Sequence, residues 1–154
     1  MRLRVVAVGM RMPAWVKEGT RDYLRRLPPE YRFEITEIAP IDPRRGADRA
    51  VREEGERLLA AIAPRERVVC LAIEGERLST EDLALRLERW QREGRDVAFV
   101  IGGPEGLSPA CLERAELRWS LSPLTFPHAL VRVIVAEQIY RAWSILAGHP
   151  YHRS

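Results

Sequence analysis

Lysine is almost missing from this chain: Lys17 is its one lysine among 25 Lys and Arg residues, and the others are arginines. Arginine meets phosphate in bidentate geometry, yet the same bias follows from genomic base composition or a hot habitat, so it names no partner by itself. Cysteine is scarce too. Cys70 and Cys111 fall in an expected strand and an expected helix, a spacing that suits neither a disulfide framework nor a metal site. No apolar run reaches membrane-spanning length, and the opening MRLRVVAVG lacks a signal-peptide cleavage pattern. A soluble, cytoplasmic protein without a membrane partner is therefore expected. No Lys-Ser/Thr follows the glycine cluster at 102–106, which argues against a loop built for nucleoside triphosphates. Internal repeats and low-complexity linkers are also absent.

What is present suits one globular domain over residues 1–154, since 46% of the residues are hydrophobic and a chain of this length buries a sizeable core. The formal charge is +3 and the pI about 9.2, which permits a polyanionic partner without requiring one.

Apolar runs and breakers alternate along the chain. Leu3–Val8 reads as a buried strand closed by Gly9, and Pro13 opens a helix that Pro28 and Pro29 stop. Tyr31, Phe33 and Ile35 alternate with polar residues and predict a second, less buried strand. A basic loop over 40–46 follows, where Arg44 and Arg45 could meet phosphate or simply be solvated. Val51, Leu58, Leu59 and Ile62 then mark a helix face, and Arg67–Ile73 a third strand. Ser79 and Asp82 have capping-box spacing before a helix that Gly94 ends. Val97–Ile101 predicts a fourth strand, Ser108 and Pro109 a helix start, and Leu117–Leu121 a fifth strand. The pattern predicts an α/β fold with a mostly parallel sheet flanked by helices.

The organising stretch is 120–153, a proline-containing loop followed by a helix from about His128 to Leu146. That helix is apolar on more than one face, where a surface helix has a single stripe. Cover by its own sheet and by something else, such as a second subunit, is expected. The terminal His149, Pro150, Tyr151, His152 and Arg153 are polar, aromatic and basic, and need a surface to dock on if they are to act.

Ligands of open α/β sheets bind beyond the carboxyl ends of strands, which here draws attention to 71–75, 101–106 and 121–127. Gly102 and Gly103 would let a ligand lie against backbone, although a tight strand-to-helix connection explains a glycine pair on its own. His149 and His152 have metal-ligand spacing but no third ligand in view, so no metal is expected. His128 is either a proton acceptor or a residue that orients the loop, the second reading being preferred. Glu137 and Arg141 are spaced for an ordinary helical ion pair.

The segments LRVVAVG, GRDVAFVIGGPEGLSPAC, WSLSPLTFPHALVRVIVAEQIYRAWSI and HPYHR resemble the ribosomal RNA large subunit methyltransferase H family. The likeness runs over essentially the whole chain and is loosest at 39–66. It implies a SPOUT-class methyltransferase with a C-terminal trefoil knot, acting as a homodimer. Its substrate would be N3 of a pseudouridine in helix 69 of bacterial 23S rRNA on the assembled ribosome, with S-adenosyl-L-methionine as methyl donor and no metal. The cofactor-contacting positions of the family correspond to Leu71, Gly102 and the run Leu121, Ser122, Pro123, Leu124, Thr125, Phe126, with Gly103 beside them.

On that footing Arg153, with Tyr151 and His152, is expected to dock over the cofactor pocket, either in its own chain or in the partner subunit. Arg153 would stabilise charge developing on the base. The competing reading is a ribosome-associated factor that binds RNA without catalysis; an enzyme using another nucleotide is disfavoured by the missing phosphate signature.

Overall fold

Five strands, all parallel, form one sheet in the order β2-β1-β4-β3-β5. The computed structural model describes residues 1–153. The strands are β1 (Leu3–Val8), β2 (Glu34–Ile38), β3 (Arg67–Arg77), β4 (Val97–Ile101) and β5 (Leu117–Ser120); the helices are α1 (Ala14–Leu24), α2 (Ala47–Ala60), α3 (Thr80–Glu93), α4 (Pro109–Arg114) and α5 (His128–Ala147).

Every residue of β1 and β4 is buried, as expected for strands covered on both faces and read from continuous apolar runs. One face packs Val5, Val69, Phe99 and Trp119 against Leu83, Leu87 and Trp90 of α3 and Val135 and Ile139 of α5, with Tyr23 and Leu24 of α1 at its margin. The other packs Val6, Val8, Val68 and Val100 against Leu58 of α2 and Cys111 of α4. The local capping signals hold: Ser79 and Asp82 make a reciprocal capping box, Gly94 ends α3 at φ 74°, and Ser108 caps α4.

Three boundaries differ from the periodicity. Pro28 and Pro29 start a 3-10 turn, Pro29–Tyr31, and Arg32 adopts a left-handed φ of 45°. Tyr31 and Phe33 therefore lie outside the ladder, and β2 begins at Glu34; Tyr31 is buried and bonded to the Gln91 side chain instead. The third strand continues past Ile73 to Arg77. At the carboxyl end, β5 stops at Ser120, so Leu121 belongs to the loop.

The cover on α5 is supplied largely by the chain itself. α5 lies on the sheet between α1 and α3, and the close α1 approach is made at Gly19, where a β-carbon would sit 3.4 Å from Val133. Its flanks at Leu130, Val133, Ile134 and Trp143 stay half-buried. None of the described helices is long and apolar enough to cross a membrane.

Candidate active site

The parallel ladder brings the carboxyl ends of β3, β4 and β5 side by side. β3 reaches this edge with a slip in register: Leu71 and Glu76 both oppose Trp119, so Ala72–Gly75 are looped out of the ladder. The loop closes tightly on β5, because a β-carbon on Gly75 would lie 2.5 Å from the Arg118 carbonyl oxygen. Only glycine fits that approach. Leu71, Ala72 and Ile73 form one wall of a pocket of ≈ 80 Å³ whose other wall is Leu121, Ser122, Leu124 and Phe126, with Val131 of α5 at the back. Ile73 and Leu124 are 53% and 66% exposed at its rim, an apolar mouth that a flat ligand would cover. Pro123 and Thr125 are exposed on the outside of the same loop.

The 121–127 loop keeps few of its polar groups for itself. The Ser120 hydroxyl donates to the Ser122 carbonyl at 3.2 Å, and Leu124 N–H donates to Ser122 Oγ at 3.0 Å. Pro123 and Pro127 have no N–H to offer. Among the described residues, the N–H groups of Ser122, Thr125 and Phe126 have no protein partner. Backbone donors and acceptors left open beside an apolar slot are what the edge of a heterocyclic base requires.

Gly102 and Gly103 follow β4 into a turn that folds back on itself, bridged from Gly103 to Gly106. A β-carbon on Gly102 would be 2.8 Å from the Gly106 carbonyl oxygen, and one on Gly103 would be 3.3 Å from Glu54 Oε1. Gly102 thus serves the turn's own closure and Gly103 its approach to Glu54 of α2 and Val8 of β1, and the turn borders the β3–β5 edge through β4.

His128 opens α5, but its ring faces the end of β1 and not the pocket wall: its Cε1 lies 3.3 Å from where a β-carbon on Gly9 would be. Burial, then the Arg132 charge, push its pKa below the ordinary value, against a smaller opposing pull from Glu54. The imidazole is held neutral, and its buried Nδ1 has no partner.

Next to it lies a cluster that sequence reading missed. Arg132 is 2% exposed and donates to Glu37 Oε2 at 2.7 Å and to the Gly9 carbonyl at 2.8 Å. It ties the first turns of α5 to the ends of β1 and β2. The available signal was an arginine between Val131 and Val133 in an apolar helix, a position where a charge needs a buried partner.

The C-terminal tail folds back along α5 as far as Glu137. Tyr151 lies edge-on to Tyr140 with ring centroids 4.6 Å apart, and Arg141 stacks over the Tyr151 ring at 4.9 Å. Tyr151 also bonds to Glu137, and burial pushes its hydroxyl pKa well up. His149 Nδ1 accepts the Tyr151 N–H. His152 Nδ1 is buried without a partner, and Arg153 closes the last 3-10 turn.

Within one chain Tyr151, His152 and Arg153 are thus not beside Leu71 and the 121–126 loop. None of the three lines that pocket, and Tyr151 packs instead on Tyr140 and Glu137 of α5 and on Tyr23 of α1. Among the described residues no group of three or more His, Cys, Asp or Glu is placed to hold a metal ion.

A family model described as "Predicted SPOUT methyltransferase" matches residues 1–152. The chain is 55% identical over 155 residues to the ribosomal RNA large subunit methyltransferase H of Chromohalobacter salexigens, spanning 99% of this chain and 100% of that one. It is 56% identical over 156 residues to the protein of the same name from Pseudomonas paraeruginosa, again over 99% and 100%. Among solved structures, a probable methylase family protein from Haemophilus influenzae Rd KW20 superposes with a TM-score of 0.60 at 13% identity, covering 97% of this chain and 69% of that one. That last likeness is one of fold.

Proposed function

The chain belongs to the SPOUT methyltransferase family, and from that premise we propose that it methylates large-subunit ribosomal RNA with S-adenosyl-L-methionine as donor. The finer reading is N3 of a pseudouridine in helix 69 of 23S rRNA, on the assembled ribosome, by a homodimer carrying the knotted C-terminal crossing of its class. The observation that carries it is the slot between Leu71–Ile73 and Leu121–Phe126, with the unpaired N–H groups of Ser122, Thr125 and Phe126 at its edge. An adenine ring fits such apolar walls, and its polar edge finds backbone donors and acceptors in the loop.

The donor supplies an electrophilic methyl group, whose bond to sulfur breaks as the bond to N3 forms. The protein's task is alignment and charge, not bond chemistry of its own. Leu71, Ile73, Leu124 and Phe126 exclude water from the slot, and the rigid 102–106 turn supports the strand edge beneath it. N3 gives up its proton to solvent before it attacks, so the base carries negative charge until the bond to the methyl group forms. Arg153 would stabilise that charge, with Tyr151 and His152 fixing the tail.

Because no residue of the tail lines the chain's own pocket, the reading assigns the tail to the pocket of the partner subunit. His128, neutral and turned toward Gly9, orients the start of α5 and is not the proton acceptor.

The test is methyl transfer from labelled S-adenosyl-L-methionine to ribosomes and to free 23S rRNA, with the modified nucleoside identified by mass spectrometry. Label on a helix 69 pseudouridine in ribosomes is the expected result. Ribosome binding without transfer would replace this reading with that of a non-catalytic RNA-binding factor.

A further inference from the structure

A larger cavity lies outside the cofactor slot. Between α1 and β2 runs a cleft of ≈ 550 Å³ whose end is closed by Arg132, a volume in the range of small-ligand sites. Its floor is apolar, with Phe33 and Ile35 from the β2 side. On its α1 wall Lys17 and Arg21 stand one helical turn apart, exposed, and form no ion pair among the described residues. The carboxylates on the opposite wall are already engaged: Glu37 Oε2 lies 2.7 Å from Arg132, and Glu34 lies 3.3 Å from Arg2. The cleft therefore presents net positive charge at its mouth.

The complementary ligand has an apolar face for Phe33 and Ile35 and an anionic group on the side of Lys17 and Arg21. A nucleotide has both.

The cleft is also placed for the reaction. Val131 backs the cofactor slot while the next residue, Arg132, ends the cleft. The two cavities flank the same turn of α5.

We propose that the α1–β2 cleft binds a second nucleotide of the RNA substrate, unstacked from the same loop as the methylated base. Its base lies on Phe33 and Ile35, and Lys17 and Arg21 hold its phosphate. Recognition of splayed loop nucleotides by apolar platforms and cationic rims is the ordinary mode for single-stranded RNA. The proposal rests on the rRNA methyltransferase reading and adds a specificity subsite to it.

The test uses full-length protein and ribosomes. K17E/R21E, and the milder K17Q/R21Q, are expected to raise the KM for ribosomes by about tenfold or more. The salt dependence of that KM should flatten by about one logarithmic unit of slope for each phosphate no longer neutralised. kcat at saturating ribosomes, S-adenosyl-L-methionine affinity and dimer mass should stay as in the wild type. Phe33→Ala should raise the KM without altering the salt slope. Unchanged KM and slope in the double variants would overturn the subsite, as would their conversion from dimer to monomer, which would make the cleft a subunit contact. Failure of the wild type to methylate ribosomes would instead remove the underlying reading, so the two failures are distinguishable.

Discussion

Mixing two inactive variants decides whether the tail works in the partner's pocket. Arg153→Ala leaves the slot intact and removes the cation proposed to meet the base; its kcat should fall on the order of a hundredfold to a thousandfold, as for loss of one charge-stabilising donor, with donor affinity unchanged. Ala72→Trp leaves the tail intact and places an indole in a slot of ≈ 80 Å³, so donor binding is lost. Each protein alone is inactive. Tyr151 is held outside its own pocket by Tyr140, Glu137 and Arg141 of α5 and Tyr23 of α1, none of which lines that pocket.

If subunits exchange freely in a two-fold dimer, about half of the molecules are mixed, and each mixed dimer holds one sound pocket facing one sound tail. Activity should return to about a quarter of the wild-type value. The assay is methyl transfer to ribosomes after co-refolding the variants at equal concentration. Activity that stays at the level of the separate variants would refute the trans arrangement and require the tail to leave its docking site on α5.

Three further outcomes follow from the same structure. Glu66 and Arg4 form a buried pair with contacts of 2.9 and 2.6 Å; Glu66→Ala strands the arginine and should cost about 3–5 kcal/mol in denaturant unfolding. Burial alone would raise the Glu66 pKa, but the Arg4 bonds and the Ala63 N–H outweigh it and hold it low. That stabilisation is present above the unfolded carboxyl pKa and is lost as pH falls through the folded one, so Glu66→Gln should flatten the acid limb of a stability profile. His128, its pKa depressed, contributes stability that is full above its unfolded pKa near 6.5 and declines as pH drops below it; His128→Gln should remove that decline in thermal melts between neutral and mildly acid pH. Gly75→Ala drives a methyl group to 2.5 Å from the Arg118 carbonyl, so a loss of about 1–3 kcal/mol and weaker donor binding are expected, measured by thermal unfolding and calorimetry.

The elements that depend on near neighbours were legible in the amino-acid order. Leu3–Val8 and Val97–Ile101 read as strands because both are apolar runs of strand length, broken only by Arg4, which pairs with Glu66. The Ser79–Asp82 box and Gly94 bound α3 through bonds made within a few residues. The 121–126 loop was marked out by its prolines and by resemblance, and the unpaired N–H groups that support the proposed donor site there belong to the loop's own chain path.

What only the tertiary structure decided involves partners far apart in sequence. Arg32 took a left-handed φ and pushed β2 to Glu34, and the slip of β3 against β5 created the looped-out wall at Ala72–Gly75. Arg132 met Glu37 across 95 positions, and α1 closed over β2 to leave a cleft no motif announces. The tail's docking surface, on Glu137, Tyr140 and Arg141 of α5 and outside the lining of the chain's own pocket, is likewise set by packing. Pattern and capping report the free energy of adjacent residues, whereas strand order, register and the surface on which the tail docks emerge only when the whole core packs at once.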